Sequence, residues 1–344
     1  MGIVGALAVL AAVLWFTPTS DYVILPGITE NLNHIVQVRN GRPPAGRLLM
    51  VAITLEPANL FYYLYGALTP YGEVVPASEL AAPGTTPRQY QQQSAYQMTQ
   101  SHEFAKVAAL NYLGYNLKET GDGVRVFYDL PKMPADGKVK ANDVITAVDG
   151  VPVSTASDLL NYMKTHVTPG SDVSLTIRRD GRTIQITVGT KPSPSSKTTP
   201  LMGIAIGTNA QSFNIPVPIT ISSGDVTGPS AGMMFGLEIV SQMKPALNLT
   251  HGLTVAGTGE IEADGTVDPI GGIREKVITV YDAGAKVFLV PAANYAEALS
   301  EERALGITAK MPLIKVRTLR DAIDALKGMN LASLEREGAK LASP

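Results

Sequence analysis

From about Leu117 the 344-residue chain changes texture, and the change divides it. Upstream, Tyr22–Leu25 reads as a short strand stopped by Pro26-Gly27, and Ile35–Val38 as another. Arg47–Leu55 (RLLMVAITL) is a run of branched apolar residues with the composition of a buried strand. Ala58–Leu68 is an aromatic helix, and Ala81–Pro87 a Pro/Gly/Thr-rich loop. Gln91–Leu113 has Met98, Phe104, Ala105, Ala108 and Ala109 spaced for one helical face. In the middle, short strands follow one another across tight turns: Val124–Tyr128, a short helix over Ser157–His166, then a hairpin of Val173–Ile177 and Ile184–Val188 about the Arg179–Arg182 turn. Lys191–Pro200 is Pro/Ser-rich and reads as a linker. Beyond it, strands (Ile204–Ile206, Ile219–Ile221, Leu253–Ile261, Lys286–Val290, Leu313–Val316) alternate with helices (Ser230–Met243, Glu275–Ala283, Tyr295–Leu305, Leu319–Leu326). Such alternation defines an α/β class. The expected organisation is an N-terminal segment over 1–17, an α/β region over 18–115, a β-rich domain over 116–192, a linker over 193–200 and a second α/β domain over 201–335.

Composition removes several functions. Charged residues are 17% of the chain and the net charge is −2, so there is no basic face for nucleic acid. Cysteine is absent, which excludes thiol catalysis, disulfides and thiolate metal sites. The four histidines (His34, His102, His166, His251) lack the close spacing of a zinc site. No G-x-x-x-x-G-K-[S/T] loop occurs, so no nucleotide partner is expected, nor any cofactor. Met1–Phe16 is uncharged and apolar; as a helix it measures about 24 Å, a little short of a ~30 Å hydrocarbon core. A single membrane anchor, a cleaved signal peptide and a buried helix compete for it, and the anchor fits best because no clear small-x-small cleavage site follows. That reading places the chain in the cell membrane as a single-pass protein with its catalytic part outside the cytoplasm, or secreted if the segment is cleaved.

The chemistry concentrates at Thr227-Gly228-Pro229-Ser230-Ala231-Gly232 and at Gly271-Gly272-Ile273-Arg274-Glu275-Lys276. Gly228 permits a tight turn and Pro229 suits a helix start. The first N–H groups of such a helix lack intrahelical partners and lie at the positive end of its dipole, where an oxyanion beside Ser230 would be stabilised. Ala231 and Gly232 are read as leaving room for a substrate backbone. A serine hydroxyl needs a base; Lys276, set among Ile270, Ile273, Val277 and Ile278, could serve if burial leaves it a neutral amine. The competing structural reading makes Ser230 a helix N-cap.

Two resemblances bear on these alternatives. Met133–Gly137, Asn142–Ile145, Val148–Val153 and Ser157–Leu160 together resemble a PDZ domain of the kind fused to bacterial proteases. That resemblance implies an extended peptide added to a sheet edge, with Gly123, Val124, Arg125 and Val126 as the expected binding residues next to the Gly121–Gly123 turn. Thr227–Gly232, Thr258-Gly259-Glu260 and Pro269–Lys276, in that order, resemble the Lon-type proteolytic domain. The family pattern implies Ser230 as nucleophile, Lys276 as general base and Thr258 as a residue that positions the lysine. Thr227 stands where the family often has an acidic residue; Asp225 is near but not aligned. Arg47–Leu55 and Met98-Thr-Gln-Ser101 match more weakly the strand and helix that precede the nucleophile in that family, which implies a PDZ unit inserted within the protease fold.

The whole chain looks like the membrane-anchored Lon-like proteases that carry a PDZ domain. The implied function is an ATP-independent, membrane-tethered serine endopeptidase acting on protein or peptide segments that are already unfolded or exposed, and the ring-forming habit of Lon-type domains adds homo-oligomerisation as an implied partner state. The alternative is a non-catalytic PDZ adaptor or scaffold with an inactive protease fold.

Overall fold

Strand pairing decides which distant apolar runs meet. The structure, a computed structural model, describes residues 2–69, 71–80, 87–193, 196–308 and 310–330, with 332, 333, 336 and 340 beyond them. In chain order come α1 (Gly2–Phe16), β1 (Pro18–Asn31), β2 (Arg47–Asn59), α2 (Leu60–Leu68), β3 (Glu73–Pro76) and α3 (Pro87–Tyr112). Next are β4 (Val124–Asp129), β5 (Val144–Val148), α4 (Ala156–His166), β6 (Asp172–Arg179), β7 (Arg182–Gly189) and β8 (Ile204–Thr208). The last stretch holds α5 (Gly232–Met243), β9 (Thr254–Gly257), α6 (Ile273–Asp282), β10 (Val287–Pro291), α7 (Tyr295–Leu305), β11 (Leu313–Val316) and α8 (Leu319–Lys327). The chain divides into two compact units, Met1–Asn116 with Ile215–Pro344, and Leu117–Asn214.

The larger unit is built on a six-stranded sheet in the order β11-β10-β9-β2-β1-β3. Neighbours from β11 to β2 are parallel, whereas β1 runs antiparallel to both β2 and β3. β2 is the joint. Its Leu48 and Leu49 lie opposite Val255 and Ala256 of β9, so segments on either side of the smaller unit share one sheet. Leu49, Val51, Ala256, Phe288 and Val290 form a core with Ile273, Val277 and Val280 of α6. α5 is buried on every side, its polar Glu238, Ser241 and Gln242 included, and α3 packs against it.

Local reading missed how β1 is held. Pro26-Gly27 does not stop the strand; it forms an irregularity, with the register to β2 shifting between Leu25 and Ile28. Proline has no N–H to give the ladder, which suits it to a bulge. A Cβ on Gly27 would lie 2.2 Å from the Ala52 carbonyl oxygen, and the Gly27 N–H donates to Thr279 Oγ1 of α6 at 3.2 Å. Leu32–Ile35 is a helical turn, N-capped by Asn31, before a strand over Val36–Val38. Of the expected loop, residues 81–86 lie outside the described residues, and Pro87 opens α3. α1 has 15 residues, about 22 Å of helix. Among the described residues no helix is long and apolar enough to cross a membrane, so the single span expected over 1–17 lacks a helix of sufficient length.

The smaller unit carries a sheet in the order β7-β6-β5-β4-β8, with Val124, Val126, Ile145, Leu159, Leu175 and Ile177 in its core. α4 starts at a capping box in which Thr155 and Asp158 bond reciprocally, satisfying two otherwise free amides. The expected linker belongs to this unit: Lys191–Ser193 and Ser196–Leu201 pair as two strands. β4 pairs with β5 on one side and β8 on the other, so β8 is the edge on that side and β7 the edge on the opposite one.

Amide hydrogen exchange should report that difference. Val124 and Val126 should be strongly protected, while alternate amides of β8 exchange quickly. Uniform protection along β8 would mean that its second side is also covered.

Candidate active site

Gly228 sets up the nucleophile turn. Its φ of 89° and ψ of 149° lie where only glycine is at ease. Pro229–Ala231 follow as one 3-10 turn that runs into α5. Ser230 therefore sits inside the turn and not at its cap; the cap position is Gly228, with no side-chain hydrogen bond. α3 holds the turn from the side. The Gly228 N–H donates to the Ser94 carbonyl at 3.1 Å, and Ser101 Oγ donates to the Pro229 carbonyl at 3.1 Å.

β9 fixes the turn from below. The Ser230 carbonyl accepts from the Gly259 N–H at 2.7 Å and from Thr258 Oγ1 at 3.0 Å. Met233 N–H returns a bond to the Gly259 carbonyl at 3.1 Å.

Lys276 arrives from α6, whose N-cap Gly272 is left-handed, with a φ of 65°. Asn294 pins the preceding loop by accepting from the Ile270 N–H and donating to the Ile270 carbonyl, each at 2.9 Å. The lysine amine lies 2.8 Å from Ser230 Oγ and 3.0 Å from Thr258 Oγ1. Because the Thr258 hydroxyl hydrogen is committed to the Ser230 carbonyl, its oxygen is left to accept from the amine. Lys276 is only 1% exposed, and this desolvation, with no carboxylate beside it, brings its pKa down to about 7. An amine in that range exchanges a proton with a neighbouring hydroxyl near neutral pH.

A groove of about 870 Å³ opens over the pair, lined by β2 residues Ala52–Pro57, by Tyr22, Tyr90 and Ser94, and by the Ser223–Gly228 segment. β9 pairs with β2 only from Arg47 to Met50. Past Met50, that side of β2 has no strand partner among the described residues.

The sequence-predicted residues separate into two groups. Ser230, Lys276 and Thr258 meet at one point, with Gly228 and Pro229 shaping the turn. Ala231 and Gly232 do not make room for a substrate: both are buried. A Cβ on Gly232 would lie 2.5 Å from Ser101 Oγ and 2.6 Å from Ile261 Cγ2, so this glycine allows α3 and the Glu260–Ile261 strand to close on the turn. Thr227 is exposed, and Asp225 lines the groove. Gly123, Val124, Arg125 and Val126 lie in the smaller unit, away from any open strand edge. Val124 and Val126 are buried, and the Gly121–Gly123 turn is tied down, Asp122 N–H donating to the Asn209 carbonyl and Gly123 N–H to the Ser154 carbonyl. The edge on the β4 side of the sheet is β8, which no local signal marked. His251 is a structural residue whose Nε2 meets the Leu326 carbonyl at 2.8 Å. Ser94 and Asn294 were not legible as site residues, since serine and asparagine in such positions carry no distinguishing pattern.

Two segments of the chain match known families. Residues 111–190 match the PDZ domain family, and residues 204–327 match the Lon protease (S16) C-terminal proteolytic domain. The Lon protease of Campylobacter jejuni is 34% identical over 113 residues, which is 33% of this chain and 14% of that protein. The Lon protease of Campylobacter concisus is 38% identical over 96 residues, 28% of this chain and 11% of that protein. The chain thus spans a small part of those relatives' length. A PDZ domain of an SdrC-like protein from Listeria monocytogenes covers 25% of this chain and 90% of its own, at 24% identity and a TM-score of 0.23, too low a score for the likeness to bear on the fold. Residues 204–327 are thus similar to a Lon-type proteolytic domain, and residues 111–190 to a PDZ domain. Residues on both sides of the PDZ-like segment contribute to one sheet.

Replacing Gly232 by alanine should cost about 1–3 kcal/mol of stability by overpacking, read as a lower urea midpoint. An unchanged midpoint would show that α3 and Ile261 do not hold the turn as closely as described.

Proposed function

We propose that the chain is a serine endopeptidase with a Ser-Lys dyad. The observation that carries this reading is the buried Lys276 amine 2.8 Å from Ser230 Oγ. Neutral Lys276 takes the hydroxyl proton as Oγ attacks a peptide carbonyl, and the resulting ammonium gives the proton to the leaving amine. An ester to Ser230 remains, and water activated by the same amine hydrolyses it. The head of the Pro229–Ala231 turn is the proposed place for the oxyanion, where the Ser230 N–H would meet the developing negative charge. Thr258 is a positioning residue that keeps the amine aimed at Oγ.

The substrate is an extended segment that adds to the free side of β2 past Met50, within the groove above Ser230. A chain able to pair in this way must already be unfolded or flexible. No phosphate loop occurs in these 344 residues, so cleavage by this dyad is proposed to be ATP-independent. A peptide recruited by the PDZ domain would add along β8. Tethering to a membrane through the uncharged α1, with cleavage outside the cytoplasm, completes the proposal. The adaptor alternative gains nothing from the site, because a scaffold has no use for a desolvated lysine against a serine.

On an unfolded casein substrate, Ser230→Ala and Lys276→Met should each lower kcat/KM by about 10²–10⁴-fold or more, with folding intact by circular dichroism. The base works unprotonated, so kcat/KM of the wild type should fall about tenfold per pH unit below about 7. A rate unchanged down to pH 5, or full activity in Lys276→Met, would rule out the lysine base.

A further inference from the structure

α2 is built inside out for a helix in water. Residues 57–72 contain no charged side chain. The residue of α2 buried against the protein is its glycine, Gly66, where a Cβ would come within 2.8 Å of Val23. The large side chains point outward: Phe61, Tyr63, Leu64, Tyr65 and Leu68 are all exposed, Leu68 by 81%. A helix on a water-facing surface shows the reverse arrangement, with its bulky apolar face inward.

This face continues into α1. The Trp15 ring stands 5.8 Å from that of Phe61 and 6.0 Å from that of Tyr62. Asn59 Nδ2 donates to the Trp15 carbonyl at 3.0 Å, and the Leu60 N–H donates to the Thr17 carbonyl at 2.9 Å. Along α1, Val4, Leu7, Leu10 and Phe16 are exposed as well. Contiguous exposed apolar surface of this kind marks a membrane or protein contact.

Three observations favour lipid. α1 has no polar face at all, whereas a helix seated on a protein partner keeps one side for water. The exposed rings include amphipathic ones, Trp15 at the end of α1, Tyr63 and Tyr65 on α2 and Tyr71 just past it, which suit the boundary between headgroups and acyl chains. And α1, at about 22 Å, is shorter than a ~30 Å hydrocarbon core; a helix of that length inserted from one side keeps its Trp15 end at the boundary, where α2 is fixed to it.

We propose that α2 is an interfacial helix that lies on a phospholipid bilayer and, with α1, seats the proteolytic unit on the membrane surface. The inference rests on the membrane reading of α1. It adds a second, lateral lipid contact that no apolar terminal run by itself would predict, and it means that the catalytic unit is held against the bilayer and not merely leashed to it.

The sequence makes the test direct, because Trp15 is the only tryptophan and there is no cysteine to remove. The full chain is added to vesicles of phosphatidylcholine and phosphatidylglycerol, with an environment-sensitive dye on Leu68→Cys or, as a control, on Asp324→Cys. The expected result is a blue shift of Trp15 emission, brightening of the dye at position 68 and no change at 324. A double variant, Phe61→Glu with Leu68→Glu, should lose about tenfold in vesicle partitioning while keeping its circular dichroism spectrum. If Trp15 shifts but the dye at 68 does not, α1 binds lipid and the α2 proposal is wrong. If neither responds and the chain does not float with vesicles, the membrane reading of α1 fails. Brightening at 68 that depends on protein concentration without vesicles would assign the face to a second copy and overturn the lipid assignment.

Discussion

The contact between Lys276 and Ser230 is the constraint on which the larger unit is organised. An amine in a dry pocket is costly to keep charged, and among the described residues no carboxylate pairs with Lys276 to offset that cost. Its pKa accordingly falls to about 7. Holding it there takes three separated segments: α6, which carries the lysine; the end of β9, just past which Thr258 and Gly259 hold the amine and the Ser230 carbonyl; and α3, whose Ser94 and Ser101 brace the turn. None of these bonds is strong alone, at about 0.5–1.5 kcal/mol net. Their geometric effect is larger than their energy, because each removes a direction in which the serine could move away from the amine.

β2 links this site to the groove. Its first half completes the parallel sheet beside β9, and its second half runs on past the end of that strand. One strand thus supplies core at Leu48–Val51 and an open edge at Ala52–Pro57. The insertion of the smaller unit between α3 and α5 is compatible with this because the two halves of the larger unit are joined through the β2–β9 pairing and the α3–α5 packing, not through chain continuity.

The site was legible where chemistry needs particular residue types at particular places. Gly-Pro-Ser-Ala-Gly and Gly-Gly-Ile-Arg-Glu-Lys each need their glycines for backbone geometry, and Gly228 and Gly272 do take positive φ. What the sequence concealed was pairing across long separations. Gly232 resembles a residue that leaves space for a ligand, yet its neighbours come from Ser101 and Ile261. Pro26-Gly27 resembles a strand end, because only the approach of Ala52 makes it a bulge. The PDZ edge was expected along 123–126, next to a glycine turn, whereas β8 arrives after a Pro/Ser-rich hairpin and covers that side of β4. A strand edge is defined by what fails to pair with it, and that is not written locally.

The state of one proton tests the account most directly. The Lys276 side chain can be followed by its Cε and Nζ resonances in Ser230→Ala protein across a pH titration, with Lys276→Met assigning the signal. The account predicts a midpoint near 7. A midpoint near the ordinary lysine value of about 10.4 would mean that burial does not neutralise the amine, and that Ser230 has no base beside it at neutral pH.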